Sequence, residues 1–177
     1  MTELGDVQWP PSPISTGRLV LRPTQARDRE GYLDLLCSDE VRRYLGGAHQ
    51  RAELEQAVAA VPGAYPGVFA VETGDAFIGT VTLNRRDVAR LGHVRPEGEE
   101  VEVSYTFLPA HWGLGYASEA VATALHWAEI ALPSEPVVLC TQSANERSVR
   151  LASRLGFQET ERFVEFGAEQ WFGVRLP

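Results

Sequence analysis

The fold class predicted by the sequence is a single α+β (mixed α/β) domain, built on a mixed, mostly antiparallel central sheet with helices on both faces. Three observations lead to it. At 177 residues the chain has the length of one domain. Its patterning runs strand, two helices, three strands, helix, strand, helix, two strands, with no internal repeat. Within that order, residues 101–143 read as strand, long helix, strand, the pattern of a right-handed parallel crossover.

Residues 1–13, "MTELGDVQWPPSP", carry three prolines and little periodicity. They are read as an N-terminal tail pinned by Trp9, with the domain proper over 14–177. "GRLVLRP" (17–23) alternates as a strand and stops at Pro23. "TQARDREGYLDLLCSDEVRRYL" (24–45) is expected to be one helix capped by Thr24, with Tyr32, Leu35 and Leu36 on its apolar face. "QRAELEQAVAAV" (50–61) is a second amphipathic helix ended by Pro62-Gly63. "GVFAVETGDAFIGTVTL" (67–83) reads as two strands turned at Thr73-Gly74-Asp75.

"NRRDVARLGHVRPEGEE" (84–100) is polar and interrupted by Gly and Pro, so it is read as a solvated loop or substrate rim. "VEVSYTFLP" (101–109) alternates, with Val101, Val103, Tyr105 and Phe107 on one side and Glu102, Ser104 and Thr106 on the other. A long helix follows Gly115. "VVLCTQS" (137–143) is a buried strand, and "NERSVRLASRLGF" (145–157) is a helix closed by a glycine C-cap. Two strands around Gly167 end the chain.

Composition narrows the function. The net charge of −8 repels nucleic-acid phosphates and favours amine-bearing partners. Hydrophobic content of 44% and charged content of 23% are those of an ordinary globular protein. No apolar stretch approaches the ~20 residues of a membrane span, and no secretory signal is visible, so a cytoplasmic location is expected. Cys37 and Cys140 stand in no paired motif and are read as buried free thiols. No His/Cys/Asp set has metal-ligand spacing.

"HWGLGYASEA" (111–120) raises the chemical question. Glycines ahead of a helix often only make a turn. Here three features favour an anion site. Ala117, Ala120, Ala124 and Ala128 recur on successive turns, so the helix start is held at a fixed place. The strand before it ends at Leu108-Pro109. Gly113, Leu114, Gly115, Tyr116 and Ala117 can turn amides toward one point. A helix start offers about half a positive charge and several unpaired N–H donors without any basic side chain. The ATP-type loop is absent, since no Lys-Ser/Thr follows, and "GLGYAS" does not complete the dinucleotide fingerprint.

The stretch resembles the acyl-CoA loop of the GNAT N-acetyltransferases, whose loose pattern Q/R-x-x-G-x-G/A falls on Trp112, Gly115 and Ala117. "W-G-x-G-Y-A-x-E-A" is similar to the version in the RimJ/RimL-like branch, which acetylates protein N-termini. Trp112 stands where the family has Gln or Arg, and Leu114 where the branch usually has a basic residue. "TGRLVLRPTQARD", "SDEVRRYL", "FIGTVTL", "VEVSYTF" and "NERSVRLASRLGF" resemble further segments of that branch, in the same order.

The resemblance implies acetyl-CoA as cosubstrate, no metal, and an acceptor that is a protein N-terminus or a small amine. It implies a sheet splayed between the strand before and the strand after the loop's helix. Backbone groups of Val103, Tyr105 and Phe107 would hold the pantetheine arm, with an amide between Tyr105 and Phe107 polarising the thioester carbonyl. Residues 112–117 would hold the pyrophosphate, and Arg150 and Arg154 the 3′-phosphate. Glu102 matches the family's strand glutamate, a general base whose pKa burial would raise; Glu99 and Glu100 compete with it. The tyrosine that many members carry on the last helix is Ala152 here. The serine of "N-x-x-S", Ser148, could hydrogen-bond the departing sulfur or simply pack the helix. Asn145 caps that helix, contacts the pantetheine arm, or both. His111 and His126 are read as structural, and His49 and His93 as loop residues. The acceptor pocket would come from 38–49, 84–100 and the last hairpin. A non-catalytic acyl-CoA-binding module and a donor such as succinyl-CoA are the alternative readings. The tail or the closing strands could form a homodimer.

Overall fold

Among the described residues, eight strands in the order β1-β2-β3-β4-β5-β6-β8-β7 make one mixed sheet. The computed structural model describes residues 4, 5, 7–9 and 11–177. The strands are β1 (Ile14–Ser15), β2 (Val20–Pro23), β3 (Val68–Thr73), β4 (Ala76–Arg85), β5 (Val101–Phe107), β6 (Val137–Gln142), β7 (Gln158–Glu165) and β8 (Ala168–Arg175). The helices are α1 (Arg29–Cys37), α2 (Asp39–Arg42), α3 (Arg51–Ala57), α4 (Tyr116–Ala131) and α5 (Glu146–Arg154). All neighbouring strands run antiparallel except β5 and β6.

Hairpin turns are set by local conformation. Gly74 and Asp75 both take positive φ (52° and 65°) in the two-residue link from β3 to β4, the geometry that matches strand twist. Phe166 and Gly167 do the same between β7 and β8. The predicted strands and the helices α4 and α5 lie where the patterning puts them. The short strand β1 is new.

The expected single helix over 24–45 is in three pieces: a 3₁₀ turn over Ala26–Asp28, then α1, then α2. Thr24 caps none of them. Asp28 instead turns back to accept from the Gln25 amide at 2.7 Å, and Ser38 breaks the helix again by capping α2 through the Val41 amide. The helix expected over 50–61 stops at Ala57.

Helix α4 buries Ala120, Val121, Ala124, Leu125 and Ala128 against Val81, Leu83, Val101, Val103 and Phe107. Its small side chains let the helix lie close to the sheet. Because side chains alternate along a strand, Glu102, Ser104 and Thr106 face the other way. Trp9 stands edge-on to Phe69 (5.2 Å) and Trp127 (5.8 Å), and Leu4 is fully buried, so Leu4, Val7 and Trp9 of the N-terminal segment join this core. Cys37 and Cys140 are free but half-buried, not interior. Among the described residues no helix is long and apolar enough to cross a membrane.

Candidate active site

The sheet opens at the parallel pair of β5 and β6. β5 and β6 are in register only at Val101↔Val137 and Glu102↔Val138; from Val103 onward β5 parts from β6. A cleft of about 1110 Å³ fills the gap. Val103, Tyr105 and Phe107 line it from the α4 face and Ser104 and Thr106 from the opposite face, so it passes through the sheet. One mouth lies among the glycine loop and α5, and the other beside Glu40, Arg43, Tyr44 and Leu45.

Register decides what β5 offers this cleft. Antiparallel partners exchange main-chain bonds at every second residue. Leu108 N bonds Ile78 O, and Arg86 N bonds Glu100 O, so on β5 the even residues 102, 104 and 106 spend their main-chain groups on β4. Those of Val103, Tyr105 and Phe107 point away from β4, toward β6 and the gap. Trp112 donates its indole N–H to Phe107 O at 2.7 Å, which ties the loop to the end of the strand.

The loop itself is an array of donors. Gly113 (φ 76°) and Gly115 (φ 81°) both adopt the left-handed region, where a side chain costs about 1–2 kcal/mol. Gly115 is the N-cap of α4. Among the described residues the amides of 113–118 have no acceptor within the protein; the first that has one is Glu119, on Gly115 O at 3.1 Å. Gly113, Gly115, Tyr116, Ala117 and Ser118 border the cleft, while the Leu114 side chain is exposed away from it. Arg147, Arg150 and Arg154 come to the same mouth from α5. Arg147 lies 5.9 Å from the Trp112 ring, Arg150 pairs with Glu146 at 2.9 Å, and Arg154 reaches Ser118 Oγ at 3.5 Å. The cations missing from the loop are thus supplied across the gap. Arg147 was not read from the sequence; its helical spacing from Arg150 and Arg154 was the available signal.

At the middle of the cleft Tyr105 Oη meets Ser148 Oγ at 2.8 Å. Burial raises the phenol's pKa, against the opposing pull of Ser148 and Arg154, so Tyr105 stays protonated. From the sequence Tyr105 is expected only as a backbone donor, because its side chain falls on the apolar side of the strand pattern. Asn145 caps α5, accepting from Ser148 N at 3.3 Å, and lines the cleft as well.

Glu102 lies one residue below the opening and does not border it. Its carboxylate accepts from Arg86 at 2.6 Å. Burial raises its pKa despite Arg86 and Arg90. Glu100 is fully buried and holds the 86–100 loop, accepting from the amides of Val94 (2.6 Å) and Arg95 (2.7 Å) and facing His93 Nδ1 at 2.8 Å. Arg86, also fully buried, donates to the carbonyls of Leu91 and Gly92. The segment read as a solvated loop is therefore folded around two buried charges. Glu99 sits in the turn before β5 with φ 61°. His126 pairs with Glu129 on the α4 surface. Among the described residues no group of three or more His, Cys, Asp or Glu side chains could hold a metal.

Comparisons with known proteins give the family and the fold. The family model of the acetyltransferase (GNAT) domain matches residues 18–158. The N-acetyltransferase YoaA of Bacillus subtilis, itself uncharacterized, is 26% identical over 152 residues, covering 82% of each chain. A GNAT-family acetyltransferase from Bacillus anthracis shares the fold with a TM-score of 0.76 at 18% identity, over 93% of this chain and 98% of that one. So does spermidine N-acetyltransferase from Vibrio cholerae, solved with CoA and spermine, with a TM-score of 0.69 at 20% identity over 91% and 96%. A splayed parallel pair, a glycine turn with unpaired amides and a family match over most of its length lead to one conclusion: the chain belongs to the GNAT acetyltransferases and is an N-acetyltransferase.

Proposed function

We propose that the protein moves an acetyl group from acetyl-CoA to a primary amine, either a protein N-terminal α-amine, as in the RimJ/RimL-like branch, or a small-molecule amine, by direct attack in a ternary complex. The observation that carries this reading is the through-going cleft, which joins a phosphate-sized array of amides to a second mouth on the other side of the sheet. The cleft fits the cosubstrate: the amides of 113–117 suit its pyrophosphate, Arg147, Arg150 and Arg154 its remaining charge, and the open edge of β5 its pantetheine arm. Acetyl-CoA supplies the activated carbonyl and the thiolate leaving group.

The chain's own groups handle the protons. Glu102, raised by burial, takes the proton of the acceptor ammonium through water, since it stands just outside the cleft. Ser148 Oγ holds a proton at the cleft wall and Tyr105 Oη stands behind it to replenish it. At the acceptor mouth Glu40 and Arg43 bring opposite charges, and Ser104 and Thr106 bring hydroxyls. This favours an acceptor presenting one amine over a polycation such as spermine.

A thiol-release assay with acetyl-CoA against peptides, monoamines, an aminoglycoside and spermine tests the reading. Release is expected with a peptide or monoamine and little with spermine. The acid limb of kcat/KM is expected above the ordinary carboxylate range. Glu102→Gln is expected to cut kcat by roughly 10²-fold or more and remove that limb while CoA still binds. CoA binding with no release across the panel would indicate an acyl-CoA-binding module instead.

A further inference from the structure

Arg18, just ahead of β2, reaches the glycine loop from behind. It does not border the cleft, yet Nη1 donates to Leu114 O at 2.9 Å. Nε and Nη2 donate to Glu119 Oε2 at 2.8 and 2.5 Å, and the guanidinium lies 4.8 Å from the Tyr116 ring centroid. Thr16 holds the other oxygen of Glu119 at 2.5 Å. The Thr16 hydroxyl and then Arg18 hold the Glu119 carboxyl below the usual range, against desolvation.

From this geometry we infer that Arg18 is a positioning residue for the cosubstrate's diphosphate. It acts through two groups and does not itself touch the ligand.

The first is a peptide plane. Leu114 O and Gly115 N–H belong to one trans peptide and point in opposite directions. Fixing the carbonyl on Arg18, away from the cleft, turns the Gly115 amide toward it. Left unpinned between two glycines, that plane can flip and present a carbonyl where a phosphate must sit. The second is a charge. Glu119 lies in the first turn of α4, where a carboxylate favours the helix but opposes a second anion at the same end. Arg18 neutralises it, so the amides face the ligand without a competing negative charge.

The inference rests on the reading of the cleft as the acetyl-CoA site, and titration calorimetry separates the two. Wild-type protein is titrated with CoA, with dephospho-CoA, which keeps the diphosphate, and with pantetheine, which lacks it. Arg18→Ala is expected to weaken CoA and dephospho-CoA alike by about tenfold or more, the loss of a charge-assisted contact, and to change pantetheine by less than about twofold. Arg18→Ala with Glu119→Gln is expected to recover part of that loss, because the unneutralised carboxylate is gone. Glu119→Gln alone is expected to bind CoA at least as tightly as wild type. Thermal unfolding of each variant identifies the folded fraction, and Arg18→Lys, which can reach one partner but not both, is expected to fall between wild type and Arg18→Ala. Equal CoA affinity in Arg18→Ala and wild type overturns the inference, as does an equal loss for pantetheine or a double variant no better than the single. Wild-type protein that binds none of the three ligands overturns the cleft reading itself.

Discussion

Tyr105 reaches α5 from the strand across the cleft, at the helix where Ala152 takes the place of the family's tyrosine. Ala152 is fully buried and carries no group that could give the sulfur a proton. A serine alone is a poor acid, since its hydroxyl holds its proton far too tightly. In the proposed reaction a phenol 2.8 Å behind it would supply the proton that Ser148 passes on. Burial raises the phenol's pKa, so it holds its proton near neutrality. Tyr105→Phe removes one oxygen and leaves the ring packed. The expected outcome is a kcat lowered about tenfold or more, with CoA affinity by calorimetry unchanged. Ser148→Ala is expected to lower kcat by a similar factor, and the double variant by little more than either, because the two hydroxyls form one path. Independent, multiplying losses would show that they do not act in series.

At the scale of elements, α5 is short and its start has to be made firmly. Asn145 makes it, accepting from Ser148 N, so the cap also fixes the residue whose hydroxyl meets Tyr105. Asn145→Ala is expected to cost about 1 kcal/mol and to lower Tm by about 2–4 °C for a domain of this size. Asn145→Asp keeps the capping oxygen and is expected to keep the Tm. Asn145→Ser also keeps a capping oxygen without adding charge, and a fall in its CoA affinity at unchanged Tm would show a separate contact of the amide with the cosubstrate. This cap was legible in the sequence, as were the turns at Gly74-Asp75 and Gly167 and the helix after Gly115, because each signal lies within a few residues of the feature it makes. The division of 24–45 was not. Asp28 ends the first turn by bonding Arg22 and the Gln25 amide, and Arg22 owes its place to a β2–β3 register that no local pattern contains. The order of the 86–100 loop was hidden for the same reason. Its polar composition reads as solvated until Arg86 and Glu100 are known to be buried. Of the site, the loop and the β5 edge were legible. Arg18 was not, since it stands 97 positions from Gly115 and its bond exists only once β2 and α4 are assembled.

At the scale of the whole molecule, a buried ion cluster ties β2 and β3 to the helical segment, on strands other than the β5 and β6 that flank the cleft. Arg22, on β2, donates to Asp28 with both terminal nitrogens at 2.8 Å and to Glu72 on β3 at 2.8 Å. The Arg22 side chain is 5% exposed and that of Asp28 1%. The cluster fastens the start of the helical segment to the sheet. Burial pushes the Asp28 carboxyl up, but Arg22 and the Gln25 amide outweigh it and hold the group below its ordinary value. A carboxyl lowered by folding adds stability that is complete above its unfolded pKa and is lost as pH falls through the folded one. Glu100 and Glu135 are lowered as well and add to the same limb. Stability should therefore hold near neutrality and fall steeply below about pH 4, the unfolded carboxylate range. Asp28→Asn leaves Arg22 buried with one anion in place of two, at a cost of about 3 kcal/mol. Urea unfolding at pH 7 is expected to show that loss in full. As the pH falls toward 3 the gap from wild type should narrow, because the wild-type carboxyl then protonates and gives up the same interaction. A gap that stays constant across that range would mean that Asp28 acts by shape and hydrogen bonding alone, with no net charge at stake between β2 and the helices it secures.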